Sequence, residues 1–263
     1  MTGAIHDRRS WTEMIMGLPI SIHRRGTPVD DDAFAAKVFQ DLRAADTMFS
    51  PYRADSLLTQ LTAGDLTESE LPQPFAAVLR LAADFQELTD GAFDVRFSGE
   101  LDPSGLVKGW ATERASRWMP PDAYLNAGGD MVIKSPNLPW RIGIEHPSNP
   151  SGLLAVLSVQ NAAVATSGTA HRGEHILDPR TRRPATGLRQ TSVVGPSLTE
   201  ADVWATALIA RGTAIFNGRD PLLARLVARG FQALLVTEGG EIRSTEGFAP
   251  YCAPDLPLRV ASV

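Results

Sequence analysis

Apolar residues recur at intervals of three and four in several parts of the chain, and this spacing predicts amphipathic helices. Three such segments lie in the first half, at Asp30–Met48, Leu71–Leu88 and Ser104–Met119. Acidic residues crowd the first turn of the first segment, where the helix dipole favours negative charge. In the second half, the pattern predicts a helix capped by Thr199 and running through Ala210, and another over Pro221–Arg229.

Short apolar runs bounded by glycine and proline predict the strands of a sheet. The first is a single strand over Met14–Arg24 around Gly17. The others are Tyr124–Asn126, Met131–Ile133, Trp140–Ile144, Leu153–Val159, Ala162–Thr166, Thr191–Val194 and Phe231–Val236. Because helices and strands do not alternate regularly, we predict an α+β fold, with mixed and antiparallel sheets packed with helices in a single compact body.

Composition narrows the classes of function. The chain has 263 residues, of which 43% are hydrophobic, so it has enough apolar material for a sizeable core. We expect one domain over residues 1–263, since no linker or low-complexity tract interrupts it. Its 25 Lys and Arg against 30 Asp and Glu provide no overall positive charge to hold a polyanion, so we expect no nucleic-acid partner. Cys252 is the single cysteine, which excludes a multi-thiolate metal site and an intrachain disulfide.

The sequence predicts a cytoplasmic protein. Arg8 and Arg9 followed by an apolar stretch superficially resemble an export signal, but Glu13 and Pro19 interrupt the run. Nowhere do about 18 consecutive apolar residues occur, so we expect no transmembrane segment.

Two glycine-rich segments are candidates for ligand contact. Asp102–Trp110 places an acid, small residues and Lys108 at a helix start, where backbone amides can hold an anion and Lys108 can add charge to a phosphate. An ordinary capped helix is the alternative. Asn126–Asp130 contains paired glycines between two apolar runs, which permit close approach of a ligand or simply form a hairpin turn.

The segment Thr166–Thr181 contains the highest concentration of reactive and charged side chains, with several hydroxyls, two histidines and two arginines. His175 titrates near neutrality and is a candidate general base, while Arg172 and Arg180 are candidates to neutralise phosphate charge. A structural hydrogen bond in a loop is the alternative for His175.

Asp202 and Thr206 lie four positions apart, so on a helix both oxygens project from one face. Such oxygens suit a hard cation, and magnesium usually takes one or two carboxylates together with ligand phosphates. A capping or surface arrangement is the alternative.

Taken in order, these segments resemble the FAD:protein FMN transferase (ApbE) family. The matching motifs are Met16-Gly17, Ser50-Pro51-Tyr52-Arg53-Ala54-Asp55-Ser56, Thr89-Asp90-Gly91-Ala92-Phe93-Asp94, Asp102 to Gly109, Asn126 to Asp130, Thr166 to Gly168, His175 to Thr181 and Ala201 to Thr206. The resemblance covers a core of about residues 14–237. Each motif is weak alone, but the ordered series is specific.

The resemblance implies a T-fold-like domain that splits FAD at its pyrophosphate with Mg²⁺ present. FMN passes to a threonine of an acceptor flavoprotein, and AMP is released. The resemblance assigns Asp202, Thr206 and the Gly105 carbonyl to magnesium, and His175 is the candidate base. The FAD site it implies is lined by Met16, Tyr52, Ala92, Phe93, Asp94, Asp102, Lys108 and Ile176.

The clearest departure from the family is Arg182, which stands where the family usually has glycine. If the turn there is left-handed, Arg182 costs about 1 kcal/mol or more. We therefore expect that the loop differs locally or that Arg182 meets phosphate. Two other functions stay open: hydrolysis of FAD to FMN and AMP, and non-catalytic FAD binding or delivery.

Overall fold

The computed structural model describes residues 8–26, 32–168, 176–256 and 261–262. Its strands are β1 (Arg8–Ile15), β2 (Leu18–Arg25), β3 (Ala123–Ala127), β4 (Asp130–Lys134), β5 (Trp140–His146), β6 (Asn149–Val159), β7 (Ala163–Gly168), β8 (Leu177–Asp178), β9 (Arg183–Pro184), β10 (Leu188–Gly195), β11 (Gln232–Thr237), β12 (Ile242–Ser244) and β13 (Ala261–Ser262). Its α-helices are α1 (Asp32–Phe49), α2 (Leu57–Ala63), α3 (Gln73–Leu88), α4 (Ser104–Ser116), α5 (Leu198–Arg211) and α6 (Leu222–Ala228). Short 3₁₀ helices lie at Glu68–Glu70, Gly212–Phe216 and Glu246–Tyr251.

Within these described residues, nine strands form one sheet in the order β1-β2-β3-β4-β7-β10-β11-β12-β13. Neighbouring strands are antiparallel except β12 and β13, which are parallel. Strands β5 and β6 form a separate antiparallel pair, as do β8 and β9. The predicted α+β class with mixed and antiparallel sheets is confirmed.

The predicted first strand is wrong, because Met14–Arg24 spans the turn of a hairpin. Strands β1 and β2 pair over their full length, with Ile15 opposite Leu18. The two turn residues, Met16 and Gly17, both have left-handed backbone, with φ of 54° and 69°. A two-residue turn of this kind matches the twist of the strands that it joins. It usually carries asparagine or aspartate at the position where this chain has Met16, so the sequence indicated a hairpin turn only weakly.

The predicted cap of the helix that runs through Ala210, which is α5 in the structure, is also wrong. Ser197, not Thr199, occupies the N-cap of α5, and its hydroxyl accepts a hydrogen bond from the amide of Glu200. Thr199 lies inside the helix, where its amide and hydroxyl donate to Glu113 on α4. Glu113 therefore ties the start of α5 to α4.

The sheet is covered on both faces. Alternate residues of a strand point to opposite faces, and in β7 and β10 Ala165 and Val193 pack with the helical core around Trp204, whereas Val164 and Val194 pack against Trp140 and the β5–β6 hairpin. Helices α4 and α5 thus lie side by side on one face of the sheet. No helix in the described part of the chain is long and apolar enough to cross a bilayer.

Candidate functional site

A cavity of about 550 Å³ opens between the helical layer and the end of the sheet. Its lining includes every described residue that the family resemblance assigns to the FAD or metal site: Met16, Tyr52, Ala92, Phe93, Asp94, Asp102, Gly105, Lys108, Ile176, Asp202 and Thr206. His175 and Arg172 lie outside the described residues. The structure therefore brings together residues that are far apart in the sequence.

Turns and helix ends supply most of this lining. Met16 comes from the β1–β2 turn, and Phe93 follows the turn after α3. Gly105 and Lys108 lie in the first turns of α4, and Asp202 lies on the neighbouring helix α5. Tyr52, with 95% of its surface exposed, lies in the loop between α1 and α2.

Lys108 bridges two buried carboxylates. Its Nζ lies 3.0 Å from Asp202 Oδ1 and also forms an ion pair with Asp130 Oδ2. The second oxygen of Asp130 accepts a hydrogen bond from the amide of Thr166 at 3.0 Å. Asp130 belongs to the glycine-rich Asn126–Asp130 motif but was not predicted as a site residue. Its position directly after the paired glycines was the available signal.

The second oxygen of Asp202 accepts a hydrogen bond from the amide of Gly109 at 3.0 Å. In a regular helix that amide donates to the carbonyl of Gly105. Because the amide is engaged by Asp202, the Gly105 carbonyl has capacity for another partner. The approach of the two helices requires glycine, since a Cβ at position 109 would lie 2.9 Å from Asp202 Cβ and 3.0 Å from the Leu198 carbonyl oxygen.

Replacing Gly109 with alanine is expected to displace Asp202 from α4. Alanine normally stabilises a helix interior by about 1 kcal/mol relative to glycine. Overpacking against Asp202 Cβ and a backbone oxygen should cost more, about 2–3 kcal/mol, so the free energy of unfolding should fall by about 1–2 kcal/mol. Thermal and urea denaturation measure the net effect. A Gly109→Ala chain at least as stable as the wild type would contradict this close contact.

Thr206 lies one turn beyond Asp202 on α5. Its Oγ1 is 3.2 Å from the hydroxyl oxygen of Ser167, which also lines the cavity. Ser167 is a second residue that sequence reasoning did not assign, although it belongs to the Thr166–Gly168 motif. The hydroxyl pair orients the Thr206 oxygen beside the Asp202 carboxylate.

These donors suit a hard divalent cation. The Asp202 carboxylate, the Thr206 hydroxyl and the Gly105 carbonyl are all oxygen ligands, and magnesium needs few protein ligands where a phosphate completes its coordination. The described residues contain no cluster of three or more His, Cys, Asp or Glu side chains. These residues therefore suit a magnesium ion that is also coordinated by an anionic ligand, and not one that is coordinated by protein side chains alone.

Charge in the cavity supports the same conclusion. The carboxylates that line it are Asp46, Asp94, Asp102 and Asp202, and Lys108 is the cationic side chain among the described lining residues. A diphosphate would be repelled by this excess of negative charge. A bound divalent cation would offset that repulsion.

The segments Asp102–Trp110 and Asn126–Asp130 each have a local structural role and also contribute to the lining of the cavity. Asp102 Oδ1 accepts a hydrogen bond from the amide of Ser104 at 3.0 Å, so it stabilises the turn that leads into α4 while lining the cavity. Asn126 Oδ1 accepts from the amide of Gly129 at 2.8 Å within the β3–β4 hairpin turn. Gly128 of the same turn lines the cavity.

Arg180, a candidate to meet phosphate, is not among the described residues that line the cavity, and its guanidinium forms a two-point ion pair with Asp178, with both N···O distances at 2.9 Å. The hydrogen bonds from Arg180 hold the pKa of the Asp178 carboxyl below its ordinary value. This pair closes the turn between β8 and β9. Arg180 is accordingly a structural residue of the turn that follows Ile176.

Arg182 ends the same turn with a left-handed backbone, at φ 55°. Its amide donates to the Asp178 carbonyl at 2.7 Å. The loop therefore keeps the conformation that glycine favours, which overturns the expectation of a locally different loop. The Arg182 side chain is not among the cavity-lining residues that the structure describes.

Arg182→Gly is expected to raise the free energy of unfolding by about 0.5–1 kcal/mol, the left-handed cost of a Cβ less the extra chain entropy of glycine. Denaturant titration measures this change. The matched control is Arg183→Gly, an exposed arginine one residue on in β9, which should lower stability instead. Equal losses in the two variants would show that the turn imposes no left-handed strain.

The fold and the cavity define an α+β protein whose site combines an apolar lining, a buried Lys–carboxylate cluster and oxygen donors for a divalent cation. The model of the ApbE family matches residues 16–99 and 95–218. The chain belongs to the ApbE family.

Proteins named FAD:protein FMN transferase are similar to this chain in sequence. The protein from Rhodobacter capsulatus is 30% identical over 247 residues, covering 82% of this chain and 43% of the relative. The one from Escherichia coli K12 is 29% identical over 160 residues, covering 54% of this chain and 43% of the relative. This chain therefore spans less than half the length of these curated relatives.

Solved structures share the fold. The ApbE protein from Thermotoga maritima has a TM-score of 0.79 at 22% identity, covering 93% of this chain and 99% of that one. Flavin transferase ApbE from Vibrio cholerae has a TM-score of 0.78 at 21% identity, covering 94% and 99%. Both comparisons support the same architecture.

Proposed function

We propose that this chain is a magnesium-dependent FAD:protein FMN transferase. It splits FAD at the pyrophosphate, joins FMN by a phosphoester to a threonine of an acceptor flavoprotein, and releases AMP. The observation that carries this proposal is the convergence of the described site residues on one cavity that holds both apolar surface and Lys108 beside Asp202. The names of the relatives support the same reaction.

The cavity offers separate chemistry for the two parts of FAD. Met16, Phe93 and Ile176 provide apolar surface of the kind that a flavin ring buries. Lys108 provides an ammonium group for the diphosphate, and it can exchange one carboxylate partner for a phosphate oxygen because two carboxylates share it.

Asp202, Thr206 and the Gly105 carbonyl would hold the magnesium ion. When bound, Mg²⁺ would neutralise charge on the diphosphate and polarise its phosphorus–oxygen bonds. Asp202 keeps its own orientation through the Gly109 amide, and Thr206 keeps its orientation through Ser167. These contacts hold the ligands in place before the substrate arrives.

In the proposed transfer, the acceptor threonine oxygen forms a bond to the FMN phosphorus. The bond from that phosphorus to the bridging oxygen breaks, and AMP leaves with the electron pair. Phosphoryl transfer needs chiefly alignment and charge neutralisation. We assign the threonine proton to His175, which directly precedes the cavity-lining Ile176 in the sequence. Neutral imidazole is the required form, so activity should rise with pH through the pKa of His175.

We also propose that the whole chain is one domain and that it works in the cytoplasm. The first hairpin supports the single domain, since β2 pairs with β3 about a hundred residues later in the same sheet. The single cysteine is typical of a reducing compartment.

The test is AMP release from FAD by the wild-type chain, with Mg²⁺ and with EDTA, in the presence and absence of a panel of purified flavoproteins. Transfer predicts metal-dependent AMP release together with a covalent flavin adduct on an acceptor, detected by mass spectrometry. AMP and FMN released without any adduct would identify a hydrolase. Tight FAD binding without AMP release would identify a non-catalytic flavin-binding protein.

A further inference from the structure

The C-terminal end of α5 carries a buried arginine that the proposed reaction does not use. The Arg211 side chain is only 7% exposed. Its Nη2 donates to the carbonyl oxygens of Thr89 at 3.0 Å and Asp90 at 3.1 Å, and it lies 3.5 Å from Asp90 Oδ2. Its Nε lies 3.5 Å from the equally buried carboxylate of Asp220.

The backbone that Arg211 holds is an unusual turn. Asp90 and Gly91 are both left-handed, with φ of 54° and 70°. Thr89 stabilises the turn locally, since its hydroxyl donates to the Phe85 carbonyl at 2.7 Å and accepts from the amide of Phe93 at 3.0 Å. A non-glycine residue in this conformation costs about 1 kcal/mol or more, so the surrounding contacts must impose it.

This turn leads directly into the cavity. The next three residues, Ala92, Phe93 and Asp94, all line it. Helix α5, which carries Arg211 at its last residue, also carries Asp202 and Thr206 nearer its start. Arg211 therefore links the segment proposed to contact the flavin with the helix proposed to hold the metal.

We propose that Arg211 is a positioning residue for FAD, acting through the Thr89–Gly91 turn. It holds Ala92–Asp94 at a set distance from Asp202 without touching the ligand. The proposal rests on the proposed function, since FAD is the ligand whose binding it supports. Nη2 of the guanidinium donates to both carbonyls while Nε faces the Asp220 carboxylate, and the single ammonium nitrogen of a lysine could not stand at both places at once.

A neighbouring arginine provides a matched control. Arg225 on α6 donates to the Leu88 carbonyl at 2.9 Å, so it caps the end of α3 one residue before the turn. It does not line the cavity described above. Arg225→Lys therefore perturbs the same helix end while leaving the contacts of Arg211 to the turn intact.

The experiment compares Arg211→Lys and Arg225→Lys chains below their unfolding temperatures. Flavin fluorescence with Mg²⁺ measures FAD binding, and initial rates of AMP release give the KM for FAD and kcat separately. We expect Arg211→Lys to raise the Kd and KM for FAD about tenfold with a smaller change in kcat. Arg225→Lys should leave both constants near the wild-type values. Faster amide hydrogen exchange in residues 89–94 should accompany only the Arg211 change.

The outcomes separate this inference from the proposed function. If wild type binds no FAD, the proposed function fails. If wild type binds FAD and the two lysine variants show equal affinity, the positioning role is overturned. Should Arg211→Lys not fold, Arg211→Gln with Asp220→Asn, which leaves no stranded carboxylate, is measured in the same way and judged by the same affinity difference.

Discussion

Replacing Asp202 with asparagine is expected to lower magnesium-dependent AMP release from FAD by at least about a hundredfold. Asparagine keeps an oxygen that can accept from the Gly109 amide, so the close approach of α4 and α5 survives. It removes the negative charge that we propose binds the metal. Initial rates at several Mg²⁺ concentrations measure the loss, and FAD binding with Mg²⁺ or EDTA gives a second readout.

The matched control is Asp84→Asn, the same chemical change on an exposed residue of α3. Its rates and metal dependence should equal those of the wild type. In the wild type, EDTA should weaken FAD binding, since the cavity lining carries more carboxylates than ammonium groups. An Asp202→Asn chain that kept full magnesium-dependent release would remove Asp202 from the proposed metal site.

Replacing Lys108 with methionine is expected to reduce both stability and activity. Methionine fills the space of the lysine stem but leaves Asp130 and Asp202 as buried, unneutralised carboxylates. Removing one partner of a buried ion pair costs about 3–5 kcal/mol. Urea denaturation measures the stability, and the KM for FAD measures the lost ammonium group.

A double variant separates the two effects. Adding Asp130→Asn to Lys108→Met removes one stranded charge, so it should recover much of the lost stability. It should not recover AMP release, since the ammonium group proposed to meet the diphosphate is still missing. Recovery of activity together with stability would show that Lys108 serves only to neutralise Asp130.

The helices were predictable from local spacing. The predicted Asp30–Met48 and Leu71–Leu88 correspond to α1 and α3, with ends shifted by no more than two residues. Their apolar faces repeat over four or more turns, and such a long pattern leaves little ambiguity. The short helix α2 (Leu57–Ala63) was missed, because seven residues are too few to show a repeat.

The hairpin and the cap show where local spacing was insufficient. An apolar run with one glycine reads equally well as a strand or as two strands, and only pairing along β1 and β2 decides between them. Ser197 and Thr199 are both good capping residues. Glu113 of α4 accepts hydrogen bonds from both hydroxyls, so it does not choose between them. The backbone is extended at Ser197 and helical from Leu198, which makes Ser197 the cap.

The sequence alone was enough to select the residue types of the site, because the motifs occur in a specific order along the chain. It could not show that Asp130 and Asp202 share Lys108, nor that Ser167 pairs with Thr206, since those contacts join segments separated by tens of residues. Burial and pairing depend on how α4, α5 and the sheet pack, and close packing of the two helices at Gly109 brings these side chains together. Local sequence thus determined which elements form and which groups are available, while tertiary packing alone decided which charges are buried and which partners neutralise them.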